Sequence, residues 1–316
     1  MQQPRLQYDF RRARFDNLSG AIQAFAEELL VRWVQASVRE TGITRVLASG
    51  GVFMNVKANK LISELPEIEH FDVFPSCGDE SLPFGAAWLS EVEQSPELFG
   101  TQALPTYSLG PEAGFDLDEA RSQFGGRIEI RNLENPAAEC ATLLAAGNIV
   151  ARCSGRMEFG ARALGNRSIL ADPSSMKVVP IINRMIKHRD FWMPFAPAVL
   201  AERVHDYVVV PATLPADDPA PFMMHTFDTT TRRDELAAAV HPQDQTARAQ
   251  TVSTAAPGFH RVISEFERQT GRGVVLNTSF NLHGFPIVMG ACDAVDVLLR
   301  SSLEHLIVDD MLVTKR

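Results

Sequence analysis

The chain predicts an α/β protein, and three observations carry that prediction. Short apolar runs of strand length, Arg45–Ala48 and Phe71–Phe74 among them, pass directly into turns marked by glycine or proline. Longer stretches with apolar residues three and four positions apart follow those turns. The two kinds of segment alternate along the chain, which is the order that builds layered sheets and helices.

Taken in order, the first fifteen or so residues show no clean period. From Ile22 the apolar positions Phe25, Ala26, Leu29, Leu30, Trp33, Val34 and Val38 predict a long amphipathic helix stopping at Gly42. A strand at Arg45–Ala48 runs into the glycine turn Ser49–Asn55, and a helix from Val56 ends before Pro66. A second strand, Phe71–Phe74, leads through Pro75–Glu80 to a helix over Leu82–Glu93 with Pro83 in its first turn. The breakers Pro96, Gly100, Pro105, Gly110 and Pro111 mark a linker. Beyond it, strands are predicted at Ile128–Ile130, Ile149–Ala151, Ala196–Leu200, Met223–Phe227, Thr251–Ser253, Val274–Leu276 and His305–Val308. Helices are predicted at Pro136–Ala146, Met176–Ile186, Arg232–Ala239, Gly258–Gln269 and Asp293–Arg300, and Val208–Pro221, with its four prolines, reads as a surface loop. The resulting division is an arm over 1–16, a first unit over 17–95, a linker over 96–111 and a second unit over 112–316.

A length of 316 residues with 45% hydrophobic content suits about two domains with real cores. The net charge of −9 argues against a general nucleic-acid binder, which needs a broad basic surface, so basic clusters here belong to pockets. Cys77, Cys140, Cys153 and Cys292 are far apart and show no C-x-x-C spacing, which indicates neither a zinc site nor a disulfide framework and fits a reducing cytoplasm. No apolar run reaches the roughly 20 residues of a membrane span, and the start lacks a signal-peptide core.

The densest chemical signal is Gly155–Pro173, where Arg156, Arg162, Arg167 and Glu158 alternate with small and apolar residues after a buried strand. Arginine offers a planar fork of donors suited to phosphate or carboxylate, and Gly155, Gly160 and Gly165 would let the backbone approach a ligand. Lys187 and Arg189 follow at the close of a helical pattern, where they could equally serve a helix C-terminus. Arg248 lies in a third basic segment, and Ser279 and Asn281 stand at the exit of a buried strand, placed to hydrogen-bond a nucleotide.

The segments Glu158–Ser168, Lys187–Ala196, Thr246–Arg248 and Asn277–Asn281, in this order, resemble the signature segments of the O-carbamoyltransferases of antibiotic and nodulation-factor biosynthesis. The resemblance runs from about Asn17 to the end. It implies the C-terminal half of an actin-like ATPase-type domain followed by a YrdC-like α/β domain that makes carbamoyl adenylate from carbamoyl phosphate and ATP. Under it, Arg162, Arg167, Lys187, Arg189 and Arg248 contact phosphate and carbamoyl groups, which suits an anion-on-anion attack that needs fixed cations. Ser279 and Asn281 contact the nucleotide, Glu158 orients an arginine, the turn with Gly50, Gly51 and Asn55 receives a nucleotide, and Asp79 binds a divalent metal, iron. The resemblance completes that metal with histidines of an upstream H-x-x-x-H helix, but the eight histidines here begin at His70 and include no pair at that spacing. The expectation is therefore a partner chain supplying the other half, or a longer gene, with transfer to a hydroxyl-bearing small-molecule acceptor. Two other readings stand beside it: a non-catalytic nucleotide-binding subunit, and a tRNA-modifying relative, which the acidic charge disfavours.

Overall fold

The computed structural model describes residues 13–98, 100, 106–114, 116–184 and 193–316. It begins with a 27-residue helix, α1 (Phe15–Thr41), closed by Gly42 at φ 70° donating its amide to the Val38 carbonyl. β1 (Arg45–Ala48) and β2 (His70–Val73) pair in parallel on either side of α2 (Val56–Ser63), and α3 (Leu82–Gln94) follows. Leu30 and Val34 of α1 join Phe53, Ile62, Phe71 and Val73 in one small core, to which Met224 contributes from far along the chain. The opposite stripe of α1 stays in solvent, with Phe25 65%, Leu29 54% and Trp33 58% exposed. The spacing allows the face carrying Phe25, Leu29, Trp33 and Val34 to pack on the short strands; of these Val34 is buried there beside Leu30, and Trp33 keeps its ring 6.4 Å from that of Phe53 while remaining largely exposed.

The rest of the chain builds an eight-stranded mixed sheet in the order β3 (Ile128–Asn132), β12 (Met311–Lys315), β11 (His305–Val308), β4 (Val150–Cys153), β5 (Arg167–Ala171), β10 (Val274–Ser279), β6 (Ala196–Leu200), β9 (Gln250–Val252). β11 with β4 and β6 with β9 are parallel pairs, and the other neighbours are antiparallel. α5 (Pro136–Ala145) and α8 (Pro257–Thr270) pack on one face, burying Cys140, Leu144, Val262, Ile263 and Phe266 against Val150, Leu170 and Val275. The other face is covered by α9 (Ala291–Arg300), α4 (Leu117–Phe124) and α6 (Val178–Ile182) over Ala151, Ile169 and Leu276. Strand alternation sorts the side chains between the two faces.

Some expectations are corrected here. Residues 167–171, read as part of a ligand loop, form the central strand β5, and Met311–Lys315 adds a strand by turning back at Asp309, φ 48°. Of the expected Met223–Phe227 strand only Phe227 pairs, in a short strand Phe227–Asp228 against Thr246–Ala247. Arg233–Ala239 is a 3-10 helix. Val208–Pro221 is partly interior, with Val208, Leu214 and Ala220 buried.

Candidate active site

The turns leaving the parallel strands β1 and β2 meet. The Gly50 amide donates to the Cys77 carbonyl at 2.9 Å, which ties the glycine turn to the loop carrying Asp79. Ligands of parallel α/β units are received at such strand exits. Facing them from the second unit is the segment that leaves β4, residues 154–166. Ser76 is its contact point: the Ala161 amide donates to Ser76 Oγ at 3.3 Å, and a Cβ on Gly160, whose φ is 99°, would fall 2.5 Å from Ser76 Cβ. The Ser76 hydroxyl in turn donates to Glu80. Aromatic pairs continue the junction, Phe84 with Phe159 and Tyr107 with Phe222, each with centroids 4.7 Å apart.

Segment 158–166 is also fastened to the sheet beneath it. Arg152 of β4 donates through Nη1 to the Gly165 carbonyl, Gln250 of β9 donates to the Leu164 carbonyl at 2.9 Å, and Asn277 of β10 donates to the Ala163 carbonyl at 3.0 Å. Glu158 folds the segment back, one carboxylate oxygen accepting the amides of Leu164 at 2.8 Å and Asn166 at 2.6 Å. Three consecutive carbonyls are held by three different strands. Two of the three glycines expected to admit a ligand serve this packing instead, Gly160 against Ser76 and Gly165, φ 124°, whose added Cβ would meet the Phe259 ring at 2.3 Å, while Gly155 has open space beside it.

Two of the predicted cations come together here. Arg248 donates through Nε to the Met223 carbonyl at 2.7 Å, while its Nη2 is buried with no hydrogen bond among the described residues. Burial and the neighbouring Arg162 charge, against the weaker opposing pull of Cys77, bring the Arg248 guanidinium down to about 9. Two guanidinium groups held near one another in a desolvated setting favour an anion between them.

Arg167 is elsewhere. Its side chain is 0% exposed and donates to the carbonyls of Met289, Ser154, Asn166 and Pro111, so it clamps backbone segments rather than presenting donors to a ligand. That corrects its expected phosphate role. Glu158 likewise holds backbone amides and forms no ion pair with an arginine among the described residues, which corrects its expected orienting role. Asn55 caps α2 by accepting the Ala58 amide at 3.2 Å and pairs with Gln23, while Gly50 and Gly51 stay exposed at the strand exit. Ser279 donates to Asn281 Oδ1 at 2.8 Å, and Asn281 Nδ2 reaches the Phe285 carbonyl at 2.8 Å. Lys187 and Arg189 lie outside the described residues. Asp79 is exposed at the start of a short 3-10 helix, and no group of three or more potential ligands surrounds a metal position among the described residues.

A cavity of about 680 Å³ opens beside the fastened segment. Of the predicted site residues that are described, Glu158 alone lines it; its polar wall includes Arg152, Asn166, Gln250 and Arg261, the carboxylates Asp218, Asp309 and Asp310, and the first turns of α5 and α8. Sequence reading missed Arg152, although a lone cation inside the strand-like run Ile149–Cys153 was a usable signal.

Among proteins of known sequence, nodulation protein NolNO of Sinorhizobium fredii is 34% identical over 305 residues, 95% of this chain and 44% of that protein. Nodulation protein NolO of Bradyrhizobium diazoefficiens is 31% identical over 303 residues, covering 95% of this chain and 55% of that one. The chain thus spans about half the length of the curated relatives it matches. A solved structure of full-length HypF in the phosphate- and nucleotide-bound form aligns at 16% identity with a TM-score of 0.40, over 60% of this chain and 22% of that one, a likeness too distant to argue from. The family model described as Carbamoyltransferase C-terminus matches residues 141–315, and that described as Carbamoyltransferase N-terminus matches residues 1–88. With more than half its length under the first of these, including every strand of the large sheet except β3 as well as Arg162 and Arg248, the chain belongs to the carbamoyltransferase family.

Proposed function

We propose that the chain takes part in carbamoyl transfer to a hydroxyl of a small molecule by way of carbamoyl adenylate. The observation that supports this reading is Arg248, a buried guanidinium whose Nη2 has no hydrogen bond among the described residues and whose ionisation the nearby Arg162 charge opposes, a setting that an anionic substrate stabilises. In the adenylation step, carbamoyl phosphate loses phosphate to water, giving carbamate. A carbamate oxygen then bonds to the α-phosphorus of ATP as the bond to the β-phosphate bridge breaks and pyrophosphate leaves. No side-chain nucleophile is needed. Arg162 and Arg248 hold the phosphates and stabilise charge on the transferring group, with Lys187 and Arg189 from the adjoining segment assigned the same task and Ser279 and Asn281 the nucleotide. In the transfer step the acceptor oxygen bonds to the carbamoyl carbon as the bond from that carbon to the AMP oxygen breaks, AMP leaves, and the hydroxyl proton passes to solvent.

In this reading 112–316 is the YrdC-like adenylate-forming unit and 17–95 belongs to an actin-like unit. The exposed stripe of Phe25, Leu29 and Trp33 supports a further polypeptide surface against α1, equivalent to the remainder of the longer relatives. The described residues do not by themselves fit a metal: Asp79 is exposed and has no accompanying ligand set, so no step is routed through one.

The test is pyrophosphate release that requires carbamoyl phosphate and ATP together. Arg162→Ala and Arg248→Ala are each expected to slow it about 10²–10³-fold, the usual cost of one preplaced donor. ATP binding without pyrophosphate release that depends on carbamoyl phosphate would favour the non-catalytic nucleotide-binding reading.

A further inference from the structure

The cavity beside segment 158–166 holds a charge arrangement that the adenylation reading does not use. Arg152 is 8% exposed, on β4, at its inner wall. Nη1 is committed to the Gly165 carbonyl and to Asn166 Oδ1 at 3.1 Å, while Nε and Nη2 make no hydrogen bond among the described residues. No carboxylate forms an ion pair with Arg152 among the described residues. A Cβ built on Gly258, in the first turn of α8, would stand 3.0 Å from Arg152 Nη2.

This guanidinium is pressed against the positive end of a 14-residue helix. α8 begins after Ala256 with no side-chain cap, and the amides of Gly258 and Phe259 find no acceptor among the described residues. A buried cation against an uncapped helix N-terminus is a like-sign contact, opposite to the arrangement that stabilises helices. Burial lowers the Arg152 pKa, against the smaller opposing influence of the Cys140 thiol, Glu158 and Asp309. The acids on the wall do not cancel the charge at close range. Glu158 is engaged by two amides, Asp218 accepts from Thr251, Asp309 accepts the Gly155 amide at 2.8 Å, and Asp309 and Asp310 are exposed.

An unpaired edge of a guanidinium beside free helix amides is the donor set of a phosphate. Arg261, on the same helix, is a second cation on the wall, and Phe222, Val252, Val262 and Ile307 give it an apolar part. A volume of about 680 Å³ lies within the range of small-ligand pockets. We propose that this cavity is a second anion site, distinct from the Arg162 and Arg248 pair, which takes a phosphate monoester carried on a flat apolar body, with Arg152 and the first turn of α8 holding the phosphate.

Phenyl phosphate is a probe of that chemistry, with phenol and inorganic phosphate as its two halves. In calorimetric titration of the full chain carrying Arg248→Met, phenyl phosphate is expected to bind with one-to-one stoichiometry and about tenfold more tightly than either half. Adding Arg152→Met is expected to weaken it at least tenfold. Gly258→Ala supplies a variant that keeps the fold, since alanine suits a helix better than glycine. Its methyl group crowds Nη2, so affinity falls while the melting temperature holds or rises. Binding that disappears with Arg248→Met overturns the proposal, as does binding indifferent to both Arg152→Met and Gly258→Ala, or no binding at all.

Discussion

The two parts of this molecule solve the same packing problem to different degrees. The eight-stranded sheet has helices on both faces, and its large side chains Phe259, Phe266, Phe280, Ile169 and Leu170 are fully buried. The part before the linker has a two-stranded sheet and one small core, and leaves Phe25, Leu29, Trp33, Leu47, Leu82 and Leu89 exposed. Both draw on the same α/β grammar. What separates them is the number of neighbours available to each strand and helix face, so amphipathic pattern alone does not decide whether an apolar stripe is buried.

The strongest test of that contrast is Arg167→Met. Four backbone carbonyls, one of them in a fully buried bond, lose their donor beside the sheet, and the change is expected to cost about 3–5 kcal/mol in urea unfolding. A loss below about 1 kcal/mol would mean that the clamp is dispensable and the sheet is held by its apolar faces alone.

A middle-sized effect is expected from α1. Leu30→Ala, on its buried stripe, should destabilise by about 2–3 kcal/mol, whereas Trp33→Ala, one turn away in solvent, should stay within about 0.5 kcal/mol. Replacing Phe25, Leu29 and Trp33 together by Lys should leave the melting temperature nearly unchanged while removing any concentration-dependent association in sedimentation. Equal losses for Leu30→Ala and Trp33→Ala would show that the outer stripe is already covered within the chain.

The smallest effect concerns a polar tie between the two parts. Partial burial works against ionisation of Asp244, yet hydrogen bonds from Thr246 and from Lys57, at 3.0 Å, bring its carboxyl down to about 2. A folded pKa below the unfolded value of about 3.9 means that this stabilisation is present above about pH 4 and is lost as pH falls through about 2. Lys57→Met should therefore cost about 0.5–1 kcal/mol at neutral pH, modest because Lys57 is half exposed, with the difference from the unmodified chain closing as acid is added. A difference that persists at pH 2 would place the loss in packing rather than in charge.

Much of this was legible in the amino-acid pattern. The end of α1 at Gly42 and the two strand exits follow from periodicity and turn chemistry. β5 was not, because Arg167 opens it and a local pattern cannot show that the carbonyls of Met289, Ser154 and Pro111, with that of the neighbouring Asn166, will satisfy a buried guanidinium. β12 carried a signal that went unread: Asp309 and Asp310 form a two-residue turn between apolar runs, a hairpin chemistry in which Asp tolerates positive φ. At the site, Arg162 and Arg248 could be picked out as cations, but their proximity depends on strands far apart in the chain. Glu158 and Arg167 misled because the same residue types that bind ligands also bind backbone.

The fastening of residues 163–165 has a consequence for how this chain can vary. Three successive peptide units are indexed one by one to Asn277, Gln250 and Arg152, and two residues before them, at Ala161, the same stretch abuts Ser76. A stretch read off in this way behaves as a ruler. Adding or deleting one residue between Glu158 and Asn166 would move every carbonyl to the wrong strand and slide Arg162 away from Arg248, although most exposed loops absorb such a change at little cost. Length, more than composition, is the property of this segment that the fold cannot trade.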